Sequence, residues 1–232
     1  MKRIFVVALC MAFLAPMTYG QSNVLSQNAV GYVKLTIPKG GLALARLDFE
    51  SLDPSVIANA RNLIGDQLPT DSAVFIWDVA TSQYIPETKG SRSGWPNSEN
   101  SLDRGTAFWI QVPDTAAEES YDVYLMGEVP GANNNSETNT IEGIEGIDAL
   151  GYAYPAAIDW TNTQLSALLP SGSTIFIWDI ATQAYLPFNK GARSGWGATG
   201  NALVLDPGTS FWVDVGDDSI IDWTEVKPYD WP

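Results

Sequence analysis

The sequence predicts an all-β protein with one or two short helices, arranged as two tandem copies of a small antiparallel β-sandwich or partly open barrel. Three observations predict this class. The apolar runs are short, rich in β-branched and aromatic residues, and bounded by Gly, Pro, Asn and Asp. One block of sequence occurs twice in the same order. Helical periodicity with a clear start and stop is confined to one short segment in the first half.

The duplication is read from motifs that recur at a nearly constant spacing. The motif Phe-Ile-Trp-Asp at 75–78 returns at 176–179, an offset of 101 residues. The same offset relates Lys-Gly-x-Arg-Ser-Gly-Trp at 89–95 to its second occurrence at 190–196. The offset then becomes 103, which aligns Phe108-Trp109 with Phe211-Trp212 and indicates a short insertion in a loop. Chance does not explain so many identities in constant order.

The repeat divides the chain into four segments. We expect a signal peptide at 1–20, a first β domain at 21–130, a flexible polar linker at 131–137 and a second β domain at 138–232. The signal peptide is predicted from Lys2 and Arg3, the apolar stretch at 4–16 and the small residues Thr18 and Gly20. The protein is therefore expected to be secreted, extracellular or on the outer cell surface, with the periplasm as the alternative.

Strands of the first copy are predicted at 29–37, 42–48, 73–78, 82–86, 107–112 and 121–129. One helix is expected to begin at Asp53, which can cap its first amides, with Pro54 in the first turn and Gly65 at its end. The second copy retains a shorter helical segment at 163–169. Within Phe-Ile-Trp-Asp, Trp77 and Trp178 are expected to pack in a core, because alternate side chains share one face of a strand.

Charge and composition narrow the functional classes. After removal of the signal peptide, 10 basic residues stand against 27 acidic ones, so the mature charge is −17. This charge repels nucleic acid and anionic lipid, and we expect neither nucleic-acid binding nor membrane insertion after signal removal. The chain has no His, and its one cysteine, Cys10, lies in the signal peptide.

Without His or a mature thiol, the chain lacks a Ser-His-Asp or Cys-His nucleophile and a thiolate or imidazole metal site. We therefore expect no enzyme activity, no cofactor and no metal. A glycoside hydrolase using two carboxylates is the one catalytic alternative, and it would need a cleft between the copies. The acids at 214, 217, 218 and 222 could attract calcium, but their spacing differs from that of a calcium-binding loop.

The most suggestive candidate site is the pair of loops at 89–95 and 190–196. Each places a basic side chain beside an aromatic one in a Gly-rich loop of an acidic protein. The candidate ligand-binding residues are Arg92, Trp95, Arg193 and Trp196, because a Trp beside an Arg can stack on a sugar ring or anchor a partner. In the alternative reading, each Trp folds back over its own core and the Arg pairs with a local carboxylate.

The motifs Gly-Tyr-Val at 31–33, Gly-Trp at 94–95, Pro-Gly-x-x-Phe-Trp-Val at 207–213, Gly-Glu-Val-Pro at 127–130 and Lys-Pro-Tyr-x-Trp-Pro at 227–232 are turn and core residues. In these motifs the chain resembles a family of uncharacterised secreted bacterial tandem-repeat β proteins. The resemblance implies the fold and export, and it supplies no catalytic residues. The second copy departs from the pattern at its first strand, where Gly143, Gly146 and Gly151 replace Gly-Tyr-Val.

These observations favour a non-catalytic secreted or cell-surface protein with a structural or adhesive role, as part of an extracellular assembly. The alternative is a glycan-binding module with paired Trp sites, for which Trp95 and Trp196 would have to be exposed. The expected partner is an extracellular protein or polysaccharide. Self-association is also open, because the arm at 21–30 of one molecule could complete an unpaired sheet edge of another.

Overall fold

The computed structural model describes residues 29–102, 104–131 and 137–230. The predicted signal peptide and the arm as far as residue 28 lie outside the described residues, as does most of the linker. Val30 of the arm belongs to the first strand of its own copy, where it pairs with Glu128.

The described part of the first copy contains six strands and one short helix. The strands are β1 (Val30–Pro38), β2 (Leu42–Arg46), β3 (Ala73–Asp78), β4 (Gln83–Thr88), β5 (Ala107–Gln111) and β6 (Ser120–Glu128). The helix α1 spans Ala60–Leu63, and a 3-10 turn follows at Gly65–Gln67. Each predicted strand is found, with its ends within two residues of the prediction.

The second copy repeats this order with two extra short strands. Its strands are β7 (Thr138–Ile144), β8 (Ile147–Gly151), β9 (Ile158–Asp159), β10 (Thr174–Asp179), β11 (Ala184–Asn189), β12 (Val204–Leu205), β13 (Ser210–Asp214) and β14 (Ile221–Val226). A 3-10 turn lies at Trp160–Asn162, and the helices are α2 (Gln164–Leu168) and α3 (Gly197–Asn201). Strand β7 is the first strand of this copy, although the sequence there departs from the Gly-Tyr-Val pattern.

Each copy is a two-layer antiparallel arrangement. In the first, the ribbon β1-β6 covers one face of the sheet β2-β5-β3-β4; in the second, the ribbon β7-β14 and the sheet β8-β13-β10-β11 correspond. The pairings between these strands are all antiparallel, and none of the described sheets closes into a barrel. The predicted all-β class is therefore confirmed. Of the two forms that the sequence left open, the β-sandwich describes these domains.

A separate hydrophobic core fills each sandwich. Large buried members of the first core are Ile37, Ile64, Leu102, Phe108, Ile110 and Leu125. Those of the second are Tyr152, Tyr154, Trp160, Phe211 and Trp223. Rings of this size bury enough apolar area to stabilise a small domain that has no disulfide.

The helix predicted from Asp53 is much shorter than expected. Asn59 is the N-cap, with extended backbone and a side chain that accepts from the Asn62 amide at 3.0 Å. Asp53 instead closes a turn by accepting from the Ser55 amide at 2.9 Å. Val56 and Ile57, which lie within the predicted helix, are exposed. An Asx turn at Asp53 competes with helix formation, and this competition explains the difference.

The second face of each four-stranded sheet is covered by the other copy. In β3, Val74 and Ile76 point to the first core, while Phe75 and Trp77 point to a third apolar cluster. That cluster joins both copies through Leu44, Ala107, Trp109, Ala149 and Trp212, with Trp77 and Trp178 packed against it. The expectation that Trp77 and Trp178 are packing residues is correct, and the core they enter lies between the copies.

The contact between the copies is reciprocal, as in a two-fold symmetric dimer. Trp77 of the first copy meets Trp212 of the second at a ring distance of 5.4 Å. Their repeat equivalents, Trp178 and Trp109, meet at 5.0 Å. Both pairs are edge-to-face, which is a geometry that aromatic pairs prefer. The two copies thus contact each other within one molecule in the way that the subunits of a symmetric homodimer do.

One pair of equivalent positions breaks this symmetry. Arg46 pairs with Ala107 in the first sheet, and Gly151 pairs with Ser210 at the same place in the second. A Cβ atom at Gly151 would overlap the Arg46 side chain. Arg46 therefore occupies space that its own repeat equivalent leaves empty.

The C-terminal Lys-Pro-Tyr motif ties the end of the chain to the end of the first copy. Lys227 Nζ donates to the Gly131 carbonyl at 2.9 Å, and Tyr229 Oη donates to the Pro130 carbonyl at 3.1 Å. The motif thus holds the end of the second copy against the end of the first copy. Among the described residues, no helix has the length and apolar character needed to cross a membrane.

Candidate functional site

The loops at 89–95 and 190–196 turn their aromatic side chains inward. Trp95 is 3% exposed and Trp196 is 6% exposed. Trp95 Nε1 donates to the Gly65 carbonyl at 2.7 Å, and Trp196 Nε1 donates to the Ser166 carbonyl at 3.0 Å. Neither indole offers an open face, so the exposed Trp platforms required by the paired-Trp glycan site are absent from these loops. The reason is that each Trp closes the end of its own core.

The lysine of each loop donates hydrogen bonds to the same helical turn that its Trp contacts. Lys190 Nζ donates to the carbonyls of Ser166 and Leu169 at 2.8 and 2.7 Å, and Lys89 Nζ donates to the Leu68 carbonyl at 2.8 Å. These carbonyls lie at the ends of short helical turns, where backbone acceptors lack intrahelical partners. The Lys-Gly-x-Arg-Ser-Gly-Trp motif is therefore a helix-end cap.

The two arginines of the loops, Arg92 and Arg193, are exposed on the surface. They do not converge with their Trp neighbours on one open surface, because the indoles point into the cores. Of the four predicted ligand-binding residues, only these two remain accessible to a partner.

The capping role of this loop predicts a matched pair of variants. Replacing Trp196 by Phe removes the indole donor and part of a buried ring, and we expect it to lower the free energy of unfolding by about 1–2 kcal/mol. Arg193→Ala is expected to change it by less than about 0.5 kcal/mol, because the side chain is exposed. Urea denaturation of both variants measures this difference, and an equal loss from both would contradict the capping role.

A groove between the copies is the more promising site. Its floor and walls are Trp77, Tyr84, Ile147, Phe176, Tyr185, Trp212 and Asp214, and its volume is about 350 Å³. It continues into a second depression of about 520 Å³, which shares Trp77 and Ile147 and is bordered by Ser82 and several carboxylates. We call these two depressions together the Ser82 groove. Apolar walls with a few polar groups are typical of ligand sites.

The aromatic rings of the Ser82 groove are held in place by edge-to-face contacts. Tyr84 lies 5.0 Å from Trp77 and 6.3 Å from Trp212 between ring centres. Tyr84 and Tyr185 are 43% and 44% exposed. Their rings thus combine fixed positions with an accessible face, which is what a binding surface requires.

The opposite side of the interface has the equivalent rings but is closed by a glutamine. Gln183 Nε2 donates to the Leu42 carbonyl at 2.9 Å, and Gln183 Oε1 accepts from the Leu42 amide at 2.7 Å. Trp178 Nε1 donates to the same carbonyl at 2.9 Å. At the repeat-equivalent position on the other side stands Ser82.

Trp77 marks the difference between the two sides. Its Nε1 atom is buried and has no hydrogen-bond partner in the described part of the protein, whereas the equivalent atom of Trp178 is bonded. A buried donor without an acceptor is costly, and such groups are rare in folded proteins. The indole N–H of Trp77 is therefore a buried donor without an acceptor in the described part of the protein, and it lies beside the accessible aromatic rings of the Ser82 groove.

The rim of the Ser82 groove is acidic. Glu145, Asp217 and Asp218 border its outer part, and Asp214 borders its inner part. Within the described ranges, no three acidic residues gather in a way that could hold a metal ion. The acids instead give the groove a negative field, which favours a cationic partner.

The turns that precede the groove behave as the sequence indicates. Asp179 accepts from the Ala181 amide at 2.9 Å and from Thr182 Oγ1 at 2.7 Å, and Asp78 makes the same two bonds in the first copy. The bonds from Thr182 and Ala181 hold the pKa of Asp179 below its ordinary value. These aspartates therefore fix the turns that present Ser82 and Gln183.

A buried carboxyl gives the fold a defined pH dependence. Burial raises the pKa of Asp148 to about 6. The folded protein therefore binds protons more tightly than the unfolded chain between the ordinary value near 3.8 and pH 6. Stability consequently falls as the pH rises through this window.

We expect the free energy of unfolding to be about 1–2 kcal/mol higher at pH 4.5 than at pH 7.5. Asp148→Asn should flatten this slope, because it removes the titrating group. Thermal unfolding at both pH values tests the expectation. A wild-type protein that is more stable at pH 7.5 than at pH 4.5 would contradict it.

Comparisons with protein-family models, with curated proteins and with solved structures find no match to this chain. The fold defines a class, an all-β protein whose two similar sandwiches share an aromatic interface.

Sequence reasoning missed the Ser82 groove. The signal was available in the repeat, where Ser82 and Gln183 differ inside otherwise similar turns. It could be interpreted only once the structure showed that these turns reach across to the other copy.

Proposed function

We propose that the chain is a non-catalytic secreted or cell-surface protein with a structural or adhesive role, and that it holds an extracellular partner in the Ser82 groove. The observation that supports this proposal is the groove itself, where two exposed tyrosine rings lie beside an unmet buried indole donor. The region between the copies, where a catalytic cleft would have to lie, is largely filled by packed tryptophans. The Ser82 groove is the part of this region that stays open to a partner.

Adhesion is tested with purified protein that begins at residue 21 and carries a fluorescent label. We expect saturable binding to intact cells of the producing organism or to their extracellular material. The double variant Tyr84→Ala/Tyr185→Ala should lose this binding, because it removes both exposed rings of the groove. The control Arg92→Ala/Arg193→Ala, which alters exposed residues outside the groove, should retain it. Binding unaffected by loss of the tyrosines would overturn the proposal.

Location and catalysis are tested separately. Fractionation of producing cells should place the protein outside the cytoplasm, with a mature N-terminus near residue 21. Incubation with a panel of chromogenic glycosides should give no turnover. Hydrolysis that is lost on replacing a rim carboxylate, such as Asp214→Asn, would favour a two-carboxylate glycosidase instead.

Glycan binding is the second candidate, because exposed tyrosine rings can also stack on sugars. A glycan panel with the wild-type protein distinguishes it. Glycan binding that depends on Arg92 and Arg193 would place the site on the two loops. Glycan binding that depends on Tyr84 and Tyr185 would keep the site in the groove and make the partner a polysaccharide.

A further inference from the structure

The two sides of the interface differ in one respect that indicates a ligand. Both sides carry equivalent rings, and both present the edge of a strand, β2 on one side and β8 on the other. The β2 side is filled by the side chain of Gln183. The β8 side is the Ser82 groove. The filled side therefore shows what chemistry the groove accepts.

Gln183 acts on its side as a built-in ligand. Its carboxamide meets one residue of β2 with two bonds, accepting from the Leu42 amide and donating to the Leu42 carbonyl. The second N–H of the same group donates to the Ile180 carbonyl at 2.7 Å. A primary amide can do this because its oxygen and one N–H lie side by side in one plane.

Ile147 is the counterpart of Leu42 on the open side. It lies opposite Asp214 in β13, as Leu42 lies opposite Gln111 in β5. The neighbouring Gly146 carbonyl bonds the Val215 amide, so the alternation of an antiparallel ladder turns the Ile147 amide and carbonyl away from β13. They face the groove, and the short side chain of Ser82 cannot bridge to them as Gln183 does.

We propose that the Ser82 groove binds a peptide that presents a glutamine or asparagine side chain to the edge of β8, reproducing the contacts of Gln183. This inference rests on the proposed function and names the class of partner. The carboxamide pairs with the Ile147 backbone and lies next to Trp77, whose indole N–H reports on it. The acidic rim formed by Glu145, Asp217 and Asp218 selects basic residues next to the amide.

The same geometry disfavours an N-acetyl sugar. The acetamido group of such a sugar is a trans secondary amide, whose N–H and C=O point in opposite directions. It can bond one of the two Ile147 groups, and it cannot bond both from one side. A primary carboxamide bonds both, so the observations favour a peptide partner.

The test uses the protein from residue 21 and the peptide N-acetyl-Lys-Gln-Lys N-methylamide. The control peptide has glutamate in place of glutamine, and chitotriose supplies the N-acetyl sugar. The readout is the NMR signal of the Trp77 indole N–H, assigned with Trp77→Phe. We expect the glutamine peptide to shift this signal saturably and to bind about tenfold or more tightly than the glutamate peptide.

Two reciprocal variants make the assignment specific. Ser82→Gln should fill the groove from within and weaken peptide binding about tenfold or more. The turn accepts glutamine, because Ser82 and Gln183 share a left-handed backbone with φ of 51° and 53°. Gln183→Ser should open the opposite side and raise the number of bound peptides from one to two. Thermal unfolding of both variants verifies that they remain folded.

Equal binding of the glutamine and glutamate peptides, or no effect of Ser82→Gln, would overturn the inference. Chitotriose shifting the Trp77 signal in place of the peptide would overturn it in favour of a glycan. If tyrosine-dependent cell binding persists while the peptide does not bind, the ligand class is wrong and the proposed function stands. If the protein shows neither peptide binding nor tyrosine-dependent cell binding, the proposed function is contradicted as well.

Discussion

Asp48→Ala is expected to lower the free energy of unfolding by about 3–5 kcal/mol at pH 7.5. Asp48 Oδ1 lies 2.7 Å from Arg46 Nε, and both side chains are fully buried. Removing the carboxylate leaves the guanidinium in an apolar interior without its counter-charge. Such a group cannot easily escape by deprotonation, because arginine remains charged under nearly all conditions. Urea denaturation followed by tryptophan fluorescence measures the loss.

The double variant Arg46→Leu/Asp48→Ala serves as the control. It removes the charge together with its partner, and it should recover most of the stability lost in Asp48→Ala, because a buried ion pair is often replaceable by apolar residues. The second copy already has Gly151 and Ala153 at the equivalent positions. A loss below about 1 kcal/mol for Asp48→Ala would contradict the buried-charge argument.

The buried Arg46–Asp48 ion pair also influences which copies can pack against each other. Arg46 extends over Gly151, its own repeat equivalent, at the contact between the copies. Two first copies packed against each other would bring two Arg46 side chains into the same space. Two second copies would leave that space empty. The asymmetry therefore favours pairing of the two unlike copies within one chain over exchange between molecules.

The strands could be predicted because their signals are local. Asp, Pro and Gly mark the turns, and β-branched and aromatic residues fill the runs between them. The Asp53 helix failed for a local reason too, because Asp53 and Ser55 form a turn that ends before Ala60. Turn chemistry and helix capping use the same residues, so the sequence alone does not separate them.

The site could not be predicted, because it depends on how the copies meet. Trp95 has the sequence context of a binding loop, yet its indole reaches back to Gly65. Phe75 and Ile76 do carry a signal, since both faces of β3 are apolar and a short continuous apolar run is typical of a strand that is buried on both sides. The identity of the covering surface, which is the second copy, follows only from the three-dimensional structure.

Trp109→Ala and Trp212→Ala test whether the two copies stabilise each other. The two residues are equivalent in the repeat, and they are 6% and 7% exposed. Each packs across the interface, Trp109 on Trp178 and Trp212 on Trp77. We expect each variant to lose about 3–5 kcal/mol of unfolding free energy, because truncation leaves a cavity as well as lost contacts.

The control is Tyr32→Ala, which alters an aromatic side chain that is 65% exposed and should change stability by less than about 0.5 kcal/mol.

Calorimetry distinguishes an interface that couples the unfolding of the two copies from one that does not. If the aromatic cluster couples the copies, the wild type unfolds in one transition, and each Trp variant unfolds in two, because one copy loses the support of the other. Two transitions already in the wild type would mean that the copies are stable separately. In that case the cluster serves mainly to shape the Ser82 groove, and loss of either Trp should impair partner binding at temperatures where both copies remain folded.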